Sequence, residues 1–121
     1  QMPIQRIVAH PNVATDVGRV SLRRGPIVYC LEGVDNGGSV QDIALPRDRA
    51  LEAHFDPDLL GGVTVLRGNA IRRKPIEWDG VLYQPVAPDA ETSIQAIPYY
   101  AWDNRAPGEM VVWLPETTAL R

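Results

Sequence analysis

The sequence predicts an all-β fold: an antiparallel β-sandwich, jelly-roll-like, with about eight or nine short strands and little helix. Three observations carry that expectation. Eleven prolines and ten glycines interrupt the chain at short intervals. The runs between them are short and rich in Val, Ile and Tyr. No stretch sustains the 3.6-residue apolar spacing of an amphipathic helix.

Each element follows in order. Ile4 to Ala9 is the first run, closed by His10-Pro11-Asn12. In Arg19-Val20-Ser21-Leu22-Arg23, Val20 and Leu22 share one face, the alternation of a half-buried strand. After the break at Gly25-Pro26, Ile27-Val28-Tyr29-Cys30-Leu31 is apolar on both faces, as a central strand requires. Asp35-Asn36-Gly37-Gly38 signals a turn. Ile43 to Leu45 is short and ends at Pro46, and in the run Leu51 to Asp56 the residues Leu51, Ala53 and Phe55 face one way. Pro57 and Gly61-Gly62 bracket a turn before Val63 to Arg67. Trp78-Asp79-Gly80-Val81 reads as a two-residue hairpin, because Asp-Gly suits a type I′ turn. Ser93 to Tyr100 and Glu109 to Leu114 are the last two strands, and Pro98 suggests an edge or a bulge in the first of them.

The chain of 121 residues fits a single domain, 1–121, able to hold one core without disulfides or metal. A net charge of -3 is too small to attract nucleic acid or acidic membranes, so neither is expected as a partner. No apolar run approaches the roughly 18 residues that span a bilayer. The opening residues Gln1 to Arg6 lack the apolar region of a signal peptide. One cysteine allows no internal disulfide, which favours a reducing compartment such as the cytoplasm. Gln rather than Met at position 1 reads as a piece of a longer protein.

Chemistry-bearing residues are sparse. Cys30 sits among Val28, Tyr29 and Leu31, and apolar burial makes a thiol inert. His10 and His54 are far apart, without metal-ligand spacing, and read as solvated; no metal site is expected. Asp35, Asp79, Glu91, Asp103 and Glu109 mostly accompany turns or prolines, and no spacing singles out a catalytic pair. Arg72-Arg73-Lys74 reads as a solvated loop.

The stretch from Ala96 to Trp113 differs. Tyr99, Tyr100 and Trp102 crowd within four residues beside Pro98, so they cannot all enter one core and are assigned a surface role. Trp113 stays open between core and surface. Arg105 has the chemistry to pair with a carboxylate or stack on a ring. Asp103 and Asn104 suit a local turn cap. Interface or sugar-contact candidates are therefore Tyr99, Tyr100, Trp102, Asn104 and Arg105.

Three blocks in order resemble a known family. They are Ala9-His10-Pro11 with Gly18-Arg19-Val20, Leu22 and Arg24 to Glu32; Asp58-Leu59-Leu60-Gly61-Gly62-Val63; and Ile97 to Met110. Together they resemble the C-terminal β-sandwich of glycoside hydrolase family 127, the β-L-arabinofuranosidase family. That family often has Gly where this chain has Ala106. The resemblance implies a parent in which a helical (α/α)-barrel carries catalysis through a zinc-associated cysteine and a glutamate. That cysteine cluster has no counterpart in this sequence, so no catalytic residue and no cofactor are expected in this chain, and zinc only in the parent's catalytic domain. The expected role is a non-catalytic accessory domain that docks on the barrel or on a second subunit. The alternative is an autonomous carbohydrate-binding module that takes an oligosaccharide.

Overall fold

The computed structural model describes residues 2–9, 18–73, 90–102, 105 and 108–117. Among these residues nine strands run in chain order: β1 (Ile4–Val8), β2 (Arg19–Arg24), β3 (Ile27–Glu32), β4 (Ile43–Pro46), β5 (Glu52–Asp56), β6 (Val63–Arg72), β7 (Ala90–Pro98), β8 (Met110–Val111) and β9 (Leu114–Thr117). Among the described residues the only helical pieces are 3-10 turns at Gly33–Asp35 and Tyr99–Ala101. The all-β sandwich expected from the sequence is the fold observed.

Strands β1, β2, β3, β7, β6 and β5 form one antiparallel array in that spatial order. Strands β4 and β9 close the other layer. β4 pairs with β6, and β9 joins β4 back to β2. Among the described residues the one departure from an antiparallel sandwich lies at this junction. The first half of β9 pairs antiparallel with β2, but its second half runs parallel to β4, with Leu45 opposite Glu116. β9 is handed from one layer to the other at a seam, so it need not keep one direction relative to both neighbours.

The register decides two cores. Leu22, Tyr29, Leu31, Leu66, Ala70, Ile94 and Ala96 point inward and meet Ile43, Leu45 and Leu114 from the closing strands. On the outer face of the array, Cys30, Val63, Val65 and Ile97 form a second, smaller cluster with Ala101, flanked by Leu59 and Leu60. The alternation of side chains along β3, β6 and β7 separates the two sets.

Several local expectations change. β6 runs on through Gly68 and Asn69 to Arg72, five residues beyond the predicted end. Glycine at 68 is a packing residue, because a Cβ there would collide with the Leu51 side chain. Pro98 is neither an edge nor a bulge residue: it is the last residue of the interior strand β7, opposite Tyr29. At a strand's end, proline forfeits at most one ladder bond. The strand predicted over Glu109 to Leu114 breaks at Val112-Trp113 into β8 and β9, and Trp113 is half-buried. Phe55 ends with its ring outside, 66% exposed, against Gly62. The Asp79-Gly80 hairpin and His10 lie outside the described residues.

The turn at Gly25-Pro26 shows how the sequence directs the chain. Gly25 takes φ +60, and Pro26 is held at negative φ by its ring. Positive then negative φ is the pattern of a II′ hairpin turn, whose twist matches the strands.

Candidate functional site

The described residues of the 99–109 segment, Tyr99 to Trp102, Arg105, Gly108 and Glu109, are called the strap, which lies beside β3 and β7 and is tied at both ends. It leaves β7 at Pro98 in the Tyr99–Ala101 turn, closed by a hydrogen bond from Trp102 N–H to Tyr99 O at 3.0 Å. Ala101 turns inward and caps the outer cluster beside Cys30 and Ile97. Its neighbours therefore turn outward. Tyr100 is 71% exposed, Tyr99 46% and Trp102 40%. The Tyr99 and Trp102 rings lie nearly parallel, 7° apart, with centroids 6.1 Å apart. One small residue between large rings thus decides which side of the turn is buried.

The far end of the strap is held by ions. Arg105 Nη1 and Nη2 donate to the two oxygens of Asp35, both at 2.6 Å, and Nη2 also reaches Glu32 at 3.2 Å. A planar guanidinium meeting a carboxylate in this bidentate way is the strongest ordinary ion-pair geometry. Both acid side chains are almost fully buried. The hydrogen bonds that Arg105 donates to Asp35, offset in part by burial, hold the Arg105 pKa above its ordinary value. Next, Glu109 Oε1 accepts from the backbone N–H groups of Val40 (2.9 Å) and Gln41 (3.2 Å) and from the Ser39 hydroxyl (3.3 Å). Those bonds, led by Val40, hold the Glu109 carboxyl below the usual range. The Gly33 N–H donates to Glu109 O at 2.8 Å.

These anchors belong to a larger network that the sequence does not announce. The buried Asn36 side chain donates to the carbonyls of Glu32 (2.8 Å) and Gln95 (3.1 Å) and accepts from the Gln95 N–H (2.9 Å). Arg72 donates to Asp42 (2.6 Å), Ser39 O (3.0 Å) and Asn36 O (2.6 Å). Burial opposes ionisation of Asp42, but the Arg72 hydrogen bond prevails and lowers its pKa. Arg72 is therefore half-buried and structural rather than part of a solvated loop; its outer neighbour Arg73 is exposed. An Asn-Gly turn signal at Asn36 hints at a bend, but nothing in the local sequence shows that its amide reaches Gln95, 59 residues on.

Of the predicted candidates, the structure brings Tyr99, Tyr100 and Trp102 together at one turn. Arg105 is set apart from them, its fork occupied by Asp35 and Glu32. Asn104 lies outside the described residues.

Cys30 lies under the strap, buried in the outer cluster. Burial first, then the carboxylates of Glu32 and Asp35, push its thiol up to about 12. At neutral pH it carries a proton and is a poor nucleophile or metal ligand. Among the described residues no three His, Cys, Asp or Glu side chains are grouped so as to hold a metal ion. His54 is separate, half-exposed beside Glu52, in an open groove of about 410 Å³ on the outer face of β5, β6 and β7. Arg67 and Gln95 bond across that groove at 2.9 Å, and no Tyr, Trp or Phe among the described residues lines it.

Comparison with known proteins agrees with this architecture. The family model described as the glycoside hydrolase family 127 C-terminal domain matches residues 4–115. A family 127 β-L-arabinofuranosidase from Geobacillus stearothermophilus T6 superposes with a TM-score of 0.87 at 53% identity, over 97% of this chain and 19% of that one. A further family 127 β-arabinofuranosidase gives 0.83 at 35% identity, over 97% and 18%. The non-reducing end β-L-arabinofuranosidase of Bifidobacterium longum subsp. longum is 38% identical over 93% of this chain and 18% of its own length. The chain thus spans less than a fifth of these relatives. By the extent of the match and the shared fold, it belongs to glycoside hydrolase family 127, as the C-terminal domain.

Proposed function

We propose that this chain is a non-catalytic accessory domain of a larger β-L-arabinofuranosidase-type hydrolase, and that the aromatic turn Tyr99 to Trp102 docks on the rest of that protein or on a neighbouring subunit. The parent reaction is hydrolysis of non-reducing-end β-L-arabinofuranosides, with zinc confined to the parent's catalytic domain. The observation that carries the reading is the geometry of the strap. Its rings stand outward, two of them half-buried against the domain, on a backbone tied down at its far end. A pre-set apolar ledge loses little freedom when a partner covers it. Among the described residues, the protonated Cys30 thiol and the engagement of Glu32, Asp35 and Asp42 by arginines support the non-catalytic reading.

Ala substitution at Tyr100 and Trp102 in the full-length enzyme tests this. Loss of stability, assembly or activity is expected; a protein unchanged in all three would defeat the docking role.

The alternative, an autonomous carbohydrate-binding module, needs rings and hydrogen-bonding groups converging on one sugar. The polar groove contains none of the described rings, and the Arg105 fork is engaged internally. Titration of the isolated chain with arabinan-type oligosaccharides separates the readings, and saturable binding below millimolar sugar would favour the module.

A further inference from the structure

Six of the eight exposed large hydrophobic residues among those described lie at one rim of the antiparallel array: Met2, Val28, Phe55, Tyr99, Tyr100 and Trp102. The register places them there. Ile4 pairs with Arg24, so Met2 sits beside the β2–β3 turn, where its thioether packs on Gly25. Tyr29 faces Pro98, which brings Val28 to the level of Tyr99. Phe55 pairs with Thr64 at the start of β6, and the Thr64 carbonyl accepts the Tyr29 hydroxyl at 3.0 Å. The two remaining residues, Val8 and Val34, are at the opposite rim.

We infer that this whole rim, and not the aromatic turn alone, is the docking surface, and that its occupant is the segment of the same polypeptide that precedes residue 1 in the full-length protein. The inference rests on the docking role proposed above and narrows it to an intrachain contact. Three observations select that occupant. The relatives carry more than four fifths of their length outside the matched region, and the matched family is a C-terminal domain, so that length lies ahead of it. The N-terminal end of β1 lies at this rim, with Met2 part of the apolar set. The exposed parts of the six side chains amount to several hundred Å², near the lower end of interdomain contacts within one chain, about 600–1,500 Å². A tethered partner meets such a surface at high effective concentration, so a modest patch suffices.

The test is oxidative footprinting of the full-length parent, read at Phe55 and Tyr100, together with Phe55→Ser, Tyr100→Ser and Val8→Ser variants of that protein. Phe55 and Tyr100 should both be labelled several-fold more slowly in the native parent than in the isolated 121-residue chain, where they are 66% and 71% exposed. Labelling of the parent unfolded by denaturant supplies the upper limit. Each of the first two substitutions should lower the melting temperature or split off an earlier transition, and Val8→Ser should leave it unchanged. Tyr100 protected with Phe55 freely labelled, and Phe55→Ser silent, would overturn this inference while leaving docking by the turn intact. Free labelling of both rings would remove both readings. Protection lost when light scattering shows dilution to monomers would assign the rim to a second subunit, and so overturn the intrachain occupant.

Discussion

The two rims of the array are built on opposite principles. At one, Arg105, Arg72, Asn36 and Glu109 satisfy carbonyls, backbone N–H groups and carboxylates within the domain. At the other, Phe55 and Tyr100 remain mostly in water. Polar networks specify one geometry because each unpaired member is costly. Exposed rings specify nothing until something covers them. The closed rim holds the strap in place; the open rim is what the strap presents.

Breaking the closed rim should have the largest effect. Arg105→Ala would leave Glu32 and Asp35 almost fully buried without their cation, at a cost of about 3 kcal/mol. A urea midpoint within experimental error of the parent sequence would show that the strap is not held this way.

A smaller effect comes from acid. Glu109 and Asp42 have lowered pKa values in the folded state, so the unfolded chain takes up protons first as pH falls. Their contribution is complete above about pH 4.3 and disappears as pH drops through the folded values. Glu109→Gln removes one of these groups. Its stability should change less between pH 7 and pH 3 than that of the unsubstituted chain, and parallel pH profiles would contradict the assignment.

The smallest effect belongs to the open rim. In the 121-residue chain alone, Tyr100→Ser should alter stability by no more than about 0.5 kcal/mol, as at other exposed positions. A larger loss in denaturant titration would mean that the ring packs within the domain, which would blur the contrast between the rims.

The strands were legible because alternation and turn residues are local signals. Val20 and Leu22, the Gly25-Pro26 turn and the apolar run around Cys30 all lie where those signals put them. The outward rings were legible by crowding, since three large side chains in four residues exceed what one core accepts. The polar network was not legible. Arg105 finds Asp35 across 70 residues, and Arg72 finds Asp42 across 30, through sheet register rather than any nearby motif. Arg72 looked like a surface charge because its neighbours in sequence are charged, whereas its neighbours in space are carbonyls. The extension of β6 past Arg67 through Gly68 was not legible, because the packing partner of that glycine, the Leu51 side chain, arrives from another part of the chain.

The seam strand β9 has a consequence for biogenesis. Leu114 to Thr117 lie between β2 and β4, among the first and middle strands of the chain. During synthesis both of those partners emerge long before β9 does. Their facing edges stay open until β9 leaves the ribosome, and open edges invite pairing with other chains. A nascent chain stalled at Trp113 would have nearly all of its core residues and no means of closing around them.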